Sequence, residues 1–307
     1  MNEAAEQVLG FRLRRFLRKP WSEKARSIRC RFKRLWNRLL PSLPLPVRLP
    51  FGGWWLAWND VCGDAIFNGN FEEPERRFVE RFLGLGMTVL DIGAHHGFYT
   101  LLASFKVGSR GRVVAFEPSP RERKKLLWHL WLNRCKNVQV ENSALGSYNG
   151  EAQLFLVDGR DTGCNSLRKP NVAEPVHPVR VPVMRLDDYL RQRGIERIDF
   201  VKMDVEGAEL EVLKGATQLL RHRPRPVWLV EVYWVRTEPW GYQAAEIVRF
   251  LEVFGYSWFV PQLEGHLVPV ACDQERFDGN FVAVPEERLG EIQPLVNGDG
   301  QRCRSSE

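Results

Sequence analysis

The chain has 307 residues, 44% hydrophobic and 27% charged, which suits one sizeable buried core with an extension and excludes a disordered or fibrous protein. Its net charge of +6 is unevenly spread: residues 1–50 carry thirteen Lys and Arg against three Glu, which leaves the rest of the chain net acidic at −4. The basicity belongs to an N-terminal arm, so a nucleic-acid-binding main domain is not expected.

From Phe11 to Leu40 apolar residues recur at helical spacing (Ile28, Phe32, Leu35, Trp36, Leu39, Leu40) among arginines and lysines, and the proline run Pro41 to Pro50 ends the pattern. This predicts a basic amphipathic helix. Residues 11–40 can dock on their own domain, meet an acidic partner, or lie on an anionic membrane surface. No run is long and apolar enough to span a bilayer, and the N-terminus lacks the apolar segment of a secretory signal. The six cysteines (Cys30, Cys62, Cys135, Cys164, Cys272, Cys303) show no C-x-x-C spacing, so reduced thiols and a cytoplasmic location, peripheral to a membrane at most, are expected.

An arm at 1–50, a main domain at 51–290 and a frayed polar tail at 291–307 follow from the composition. After the aromatic lead-in that starts at Phe51, strands are predicted at Thr88–Ile92, Val113–Phe116, Val138–Val140, Phe200–Met203 and Trp228–Val232, alternating with helical stretches. That alternation predicts an α/β, doubly wound, mostly parallel sheet. Two further strands, Ala152–Val157 and Val179–Met184, flank the polar loop "DGRDTGCNSLRKPN", and the C-terminal segments "YSWFVPQLEGHLVPV" and "GNFVAVP" suit closing antiparallel strands.

Ligands of such sheets bind at the carboxyl ends of the strands. The first predicted strand ends in "DIGAHHG", where Gly93 and Gly97 permit tight turns and close approach to a ligand, and the following helix offers free N–H groups. Glu117, at the end of the second strand in "VVAFEPSP", can accept from both hydroxyls of a ribose, and Pro118 directs an extended exit. A dinucleotide and S-adenosylmethionine both suit a glycine loop with such an acid. The loop is not G-x-G-x-x-G, and Asp91 beside a pyrophosphate would be repulsive, whereas it suits a cationic ligand; the methyl donor is favoured.

The segments "FEEPERRFVERFLGLGMTVLDIGAHHGFYTLLA", "GRVVAFEPSPRERKKLLWHLWLN", "MRLDDYL" and "IDFVKMDVEGAELEVLKGA" followed by "WLVEV" resemble the FkbM family of S-adenosylmethionine-dependent methyltransferases over about Phe71 to Phe259. The resemblance implies a seven-stranded class I methyltransferase (Rossmann-like) sheet and O-methylation of a hydroxyl on a carbohydrate, glycolipid or related metabolite. It places Asp91, Gly93 and Gly97 at the methionine portion of the cofactor, Glu117 at the ribose and Ser143 with Ala144 at the adenine edge, with Ala94, His95 and Pro118 as further cofactor contacts.

Methyl transfer to an alcohol requires an aligned oxygen and removal of its proton. Glu206, in "DVEGAE", is the first candidate base and Glu231 the second, with Asp204 facing the cofactor or the hydroxyl. Glu209 and Glu211 read as helix N-terminal carboxylates that complement the dipole. Three acids on one rim also form a donor set for Mg²⁺, although nothing in the spacing requires a metal. His95, where the resembled family usually has Asn, is a cofactor neighbour and candidate auxiliary base; adjacent histidines diverge, so His95 and His96 make a poor chelate, and His96 is expected to pack near the second strand. Asn165 and Ser166 of the polar loop and Trp234 are candidate acceptor contacts, while most of the eleven tryptophans read as packing. A noncatalytic cofactor-binding protein recruited by its arm is the alternative; a base-modifying enzyme lacks support because the N/D-P-P-Y motif is absent.

Overall fold

The computed structural model describes residues 21–271 and 277–296, and their contacts form two compact units, one from residues 21–47 and 55–71, the other from the described parts of 48–54 and 72–296. The expectations for residues 11–20 and for the tail beyond residue 296 lie outside the described residues.

The first unit holds helix α1 (Trp21–Leu39), strands β1 (Leu45–Arg48) and β2 (Trp54–Ala57), which pair, and helix α2 (Val61–Asn68). Asp60 starts α2 by accepting from Gly63 N at 2.7 Å, and Gly69 ends it in the left-handed conformation. Helix α1 meets this unit through polar groups. Lys33 Nζ is buried 2.6 Å from the Asp64 carboxylate and donates to Trp58 O, Asn37 donates to Asn59 at 2.9 Å, and Arg29 donates to Phe67 O at 2.9 Å.

The second unit begins with α3 (Glu73–Phe82), whose buried Phe78 and Phe82 rings pack on Phe200. There follow β3 (Thr88–Ile92), α4 (Phe98–Val107), β4 (Arg112–Phe116), α5 (Pro120–Leu132), β5 (Val138–Glu141), β6 (Ala144–Leu145), β7 (Gly150–Val157), β8 (Val176–Met184) and α6 (Leu186–Arg193). The chain continues through β9 (Phe200–Met203), α7 (Glu209–Lys214), α8 (Thr217–Arg221), β10 (Val227–Tyr233), α9 (Trp234–Thr237), α10 (Ala244–Glu252), β11 (Tyr256–Pro261), β12 (Leu267–Pro269), β13 (Asp278–Pro285) and α11 (Leu289–Ile292).

The main sheet runs β12-β11-β13-β10-β9-β3-β4-β5. Strands β10, β9, β3, β4 and β5 are parallel, and β13 is antiparallel to both β10 and β11. The parallel strands β3, β4, β9 and β10 are buried on both faces and read as nearly continuous apolar runs for that reason. The sheet has eight strands where seven were expected. The additional β12 exists because Gln262 N bonds His266 O at 2.7 Å across a turn in which Gly265 takes φ +77°, folding three more residues onto β11. The inserted strands β7 and β8, with β6, form a separate three-stranded sheet around Leu154, Leu156, Val181 and Val183. No helix among the described residues is long and apolar enough to cross a membrane.

Candidate functional site

Chain order reverses between β3 and β9, so the carboxyl ends of β3, β4, β9 and β10 meet at the switch point of the sheet. At the tip of β3, Gly93 N and Ala94 N both donate to Phe116 O at 3.0 Å, tying the loop to β4. Gly93 has φ +83°, and a Cβ there would stand 1.7 Å from Asp204 O; at Gly97 (φ +89°) it would stand 2.2 Å from Leu126 Cδ1. The sequence reading assigned these glycines to the approach of a ligand. In the structure the space that they spare is taken by the β9 tip and by α5. Asp91 is buried and accepts from Thr100 Oγ1 at 2.5 Å, which anchors the first turn of α4; burial pushes its carboxyl up to about 6.

Glu117, at the end of β4, accepts from His95 N at 2.6 Å and from Ser119 N at 2.8 Å. Burial first, and then the charge of Glu122, pushes it up to about 8 against those two donors. His95 has φ +50°, a conformation in which Asn and His are both enriched. Its Nε2 lies 3.0 Å from Thr162 Oγ1, in the insertion loop. The His96 ring stacks on it at 3.7 Å, is buried, and faces α5 with Nε2 3.1 Å from Lys125 Nζ; burial, then the neighbouring His95, lowers its pKa well below the usual value. Pro118 O accepts from Arg123 at 3.0 Å. Ser143 Oγ lies 3.3 Å from Met184 Sδ, and Ala144 opens β6, so both stand just past β5.

The acids gather across the switch point. One oxygen each of Asp204, Glu206 and Glu231 lies within 4.8 Å of the others. Asp204 and Glu206 stand on the turn after β9, and Glu231 lies in β10 opposite Asn280 of β13. Glu206 adopts φ +54°, unusual for a residue with a Cβ and costing on the order of 1 kcal/mol. Burial first, then the Asp204 charge, raises Glu206 well above the carboxylate range although Arg236 Nε stands 2.7 Å from its Oε2. That pair lacks the alignment of a hydrogen bond. Glu231 is raised likewise, by burial, by the charges of Asp204 and Glu206, and by a hydrogen bond with Asp204. Glu209, raised to about 7 by burial, accepts from Val205 N and Gly207 N at 3.1 and 3.2 Å, which suits the helix-terminal role expected for it.

Sequence reasoning missed two cations here. Lys202 in β9 is buried with Nζ 3.7 Å from Asp204 and 3.0 Å from Asn280 Oδ1, and lies over the Tyr99 ring. Burial opposes its charge, but Asp204, Glu72, Glu231 and Asp91 outweigh burial and raise its pKa. A lone Lys in the apolar run "FVKM" was the available signal, because Lys is almost never fully buried unpaired. Arg236 left no such signal; it follows β10 on the exposed-looking stretch "WVRT" and reaches Glu206 and, at 3.1 Å, Cys164 Sγ.

The loop residues proposed to touch an acceptor are engaged by the protein. Asn165 Oδ1 accepts from Val157 N at 2.9 Å, and the buried Ser166 Oγ donates to Glu206 O at 2.7 Å, so the insertion loop is fastened to the acid turn. Trp234 is half exposed at the start of α9, while the Trp240 indole lies against Gly207 with Arg168 above its ring at 5.1 Å. A cleft of about 710 Å³ lined by Ser104, Arg112, Asn133 and Asn137 lies at the amino ends of β4 and β5, away from these acids.

Five acids (Glu72, Asp91, Asp204, Glu206, Glu231) thus surround the switch point with Lys202 and Arg236 as their close cations. The surplus of buried and half-buried carboxyls fits a positively charged ligand and opposes a pyrophosphate. The three carboxylates of the rim are also hard-cation donors, but two already face protein cations, Asp204 facing Lys202 and Glu206 facing Arg236.

Residues 91–258 match the family described as Methyltransferase FkbM domain. The chain is 28% identical over 143 residues to Methyltransferase 1 of Beauveria bassiana, covering 41% of this chain and 57% of that one. It is 31% identical over 157 residues to Methyltransferase sdnD of Sordaria araneosa, covering 42% and 60%. To 2-O-methyltransferase NoeI of Sinorhizobium fredii it is 27% identical over 145 residues, covering 43% and 58%. The chain therefore spans less than two thirds of the length of each of these relatives.

Proposed function

The chain belongs to the FkbM methyltransferase family, and from that premise we propose that it is an S-adenosylmethionine-dependent O-methyltransferase acting on a hydroxyl of a carbohydrate, glycolipid or related metabolite. The observation that carries the reading is the trio Asp204, Glu206 and Glu231, with oxygens within 4.8 Å, beside a glycine loop that begins with the buried Asp91. The name of NoeI, a 2-O-methyltransferase, supports oxygen as the acceptor atom.

When bound, the cofactor supplies an electrophilic methyl group on a cationic sulfur. Asp91 would complement the cationic end of the cofactor, its amino group above all, Asp204 would face the cofactor or the hydroxyl, and Glu117 would accept from the ribose hydroxyls while keeping its backbone donors, since a carboxylate has about four acceptor positions. Ser143 and Ala144 border the adenine. Glu206 takes the proton of the acceptor hydroxyl: a carboxyl raised by burial is a stronger base than an exposed one, and Arg236 and the Ser166 link to its carbonyl hold it in place. Glu231 shares a hydrogen bond with Asp204 and is the second proton acceptor. Asn165, Ser166 and Trp234 border the acceptor side, His95 orients the insertion loop through Thr162, and the reaction is assigned no metal ion.

Calorimetry with S-adenosylmethionine and with NAD tests the cofactor; binding of the former alone is expected, and the reverse result overturns the reading. With an acceptor in hand, Glu206→Gln lowers kcat by about 10²- to 10⁴-fold. Full turnover in both Glu206→Gln and Glu231→Gln would remove the assigned base.

A further inference from the structure

Helix α1 is mounted the wrong way round for a helix that only packs on its own unit. Successive residues turn by about 100°, so Cys30, Lys33 and Asn37 share one face, and these are residues bonded to Asn68, Asp64 with Trp58, and Asn59. The opposite face carries Ile28, Phe32, Leu35 and Leu39 within an arc of about 60°, and these side chains are 55%, 52%, 55% and 67% exposed. Leu40 and Leu43 extend the exposed apolar surface past the helix end. A surface helix ordinarily turns its apolar stripe to the core and its polar face to water; here the polar face is consumed and the apolar one is presented.

The rim of the stripe is basic. Arg31, Arg34 and Arg38 are exposed along one flank, Arg29 on the other is engaged with Phe67, and Glu23 is the one acid in the sequence of the helix. We propose that this face of α1 is a docking surface for an anionic lipid bilayer, with the four apolar side chains entering the headgroup boundary and the flanking arginines meeting lipid phosphates and carboxylates. Charge argues against two other occupants. A second copy would bring one arginine-rimmed stripe against another, and residues 11–20, "FRLRRFLRKP", would add five like charges beside it. An anionic surface satisfies both the apolar stripe and its rim. The proposal stands apart from the assignment of the methyl-transfer chemistry and fails or survives independently of it.

Flotation of the full chain with phosphatidylcholine vesicles, with and without phosphatidylserine, tests it. The wild-type protein is expected to float with the anionic vesicles and to stay down with the neutral ones. Phe32→Ser with Leu35→Ser, at exposed positions, lowers the floated fraction by about tenfold, and Arg34→Glu with Arg38→Glu abolishes the preference for phosphatidylserine. Val253→Ser, an 84% exposed site outside the helix, floats as the wild type does. Circular dichroism of each variant checks that the fold persists. Wild-type protein that stays down with anionic vesicles, or a Phe32/Leu35 variant that floats undiminished, overturns the proposal. A lipid-free dimer that the same double substitution dissolves also overturns it, because the stripe is then covered by a second copy.

Discussion

Replacing Lys202 by Met tests whether the acid cluster is held together by its one buried ammonium. At 3.7 Å from Asp204 and an effective dielectric near 20, Coulomb attraction is about 4 kcal/mol for that pair alone. Relief of the burial cost of Lys202 offsets part of this, and the uncompensated charge of Asp91 adds to the loss, so a net cost of about 3 kcal/mol is expected at pH 8. For a domain of this size that lowers Tm by roughly 6–10 °C. The cost depends on pH with a definite sign. Asp91 already titrates at about 6 in the folded chain, above its ordinary value, and losing Lys202 raises it further. A raised carboxyl is no burden below its unfolded pKa and becomes one as pH rises through its folded pKa. The variant's deficit should therefore be smaller at pH 5, where Asp91 carries a proton, than at pH 8. Lys202→Arg, which keeps the charge, should fall between. Scanning calorimetry at both pH values measures this; equal deficits at pH 5 and 8, or a Tm change under about 2 °C, would refute the reasoning.

Gly93→Ala should cost about 3 kcal/mol more than Gly86→Ala and abolish cofactor binding, because both glycines have φ near +84° but only the first would press a Cβ on Asp204 O; equal melting temperatures contradict this. Affinity for S-adenosylmethionine should rise with pH up to about 8, since Glu117 must lose its proton to accept from ribose hydroxyls, and Glu117→Gln should flatten the profile; a wild-type Kd constant from pH 6 to 9 removes the ribose assignment. His95→Asn should leave stability within about 0.5 kcal/mol because Asn tolerates the left-handed conformation, and a larger fall in Tm would show that the imidazole contact with Thr162 bears structure.

Much of the sheet was legible because both-face burial writes itself as apolar runs closed by an acid and a glycine: β3 and β9 match their predicted bounds, and β4, β5 and β10 begin a residue early or end a residue late. Strands β1, β2 and β6 were not read, being at most four residues long and set among prolines, tryptophans or turns, while β12 falls inside the C-terminal segment expected to supply closing antiparallel strands. The acids Asp204, Glu206 and Glu231 were found from their place at strand tips. Lys202 was not, because its partners come from residues 72, 91, 204 and 231, which only the folded sheet assembles. Periodicity gave α1 its amphipathic character but not its orientation, which depends on Asp64, Asn59 and Asn68 being available to its polar side. Asn165 and Ser166 read as free polar groups because a sequence does not show which backbone N–H and C=O groups need a partner.

The contact of Gly93 with the carbonyl of Asp204 also has a practical meaning for engineering. The glycine loop and the acid turn abut with no room for a methyl group, so substitution at position 93 cannot widen this wall, and a library that samples it will return mostly unfolded clones. The insertion loop is held by side-chain bonds from Asn165 and Ser166 and by paired backbone bonds between Ser166 and Phe155, and Trp234 is half exposed. Diversity introduced at the exposed Gly163 and at Trp234 spares these ties, which makes those positions the replaceable part of the site and the glycine seam the fixed one.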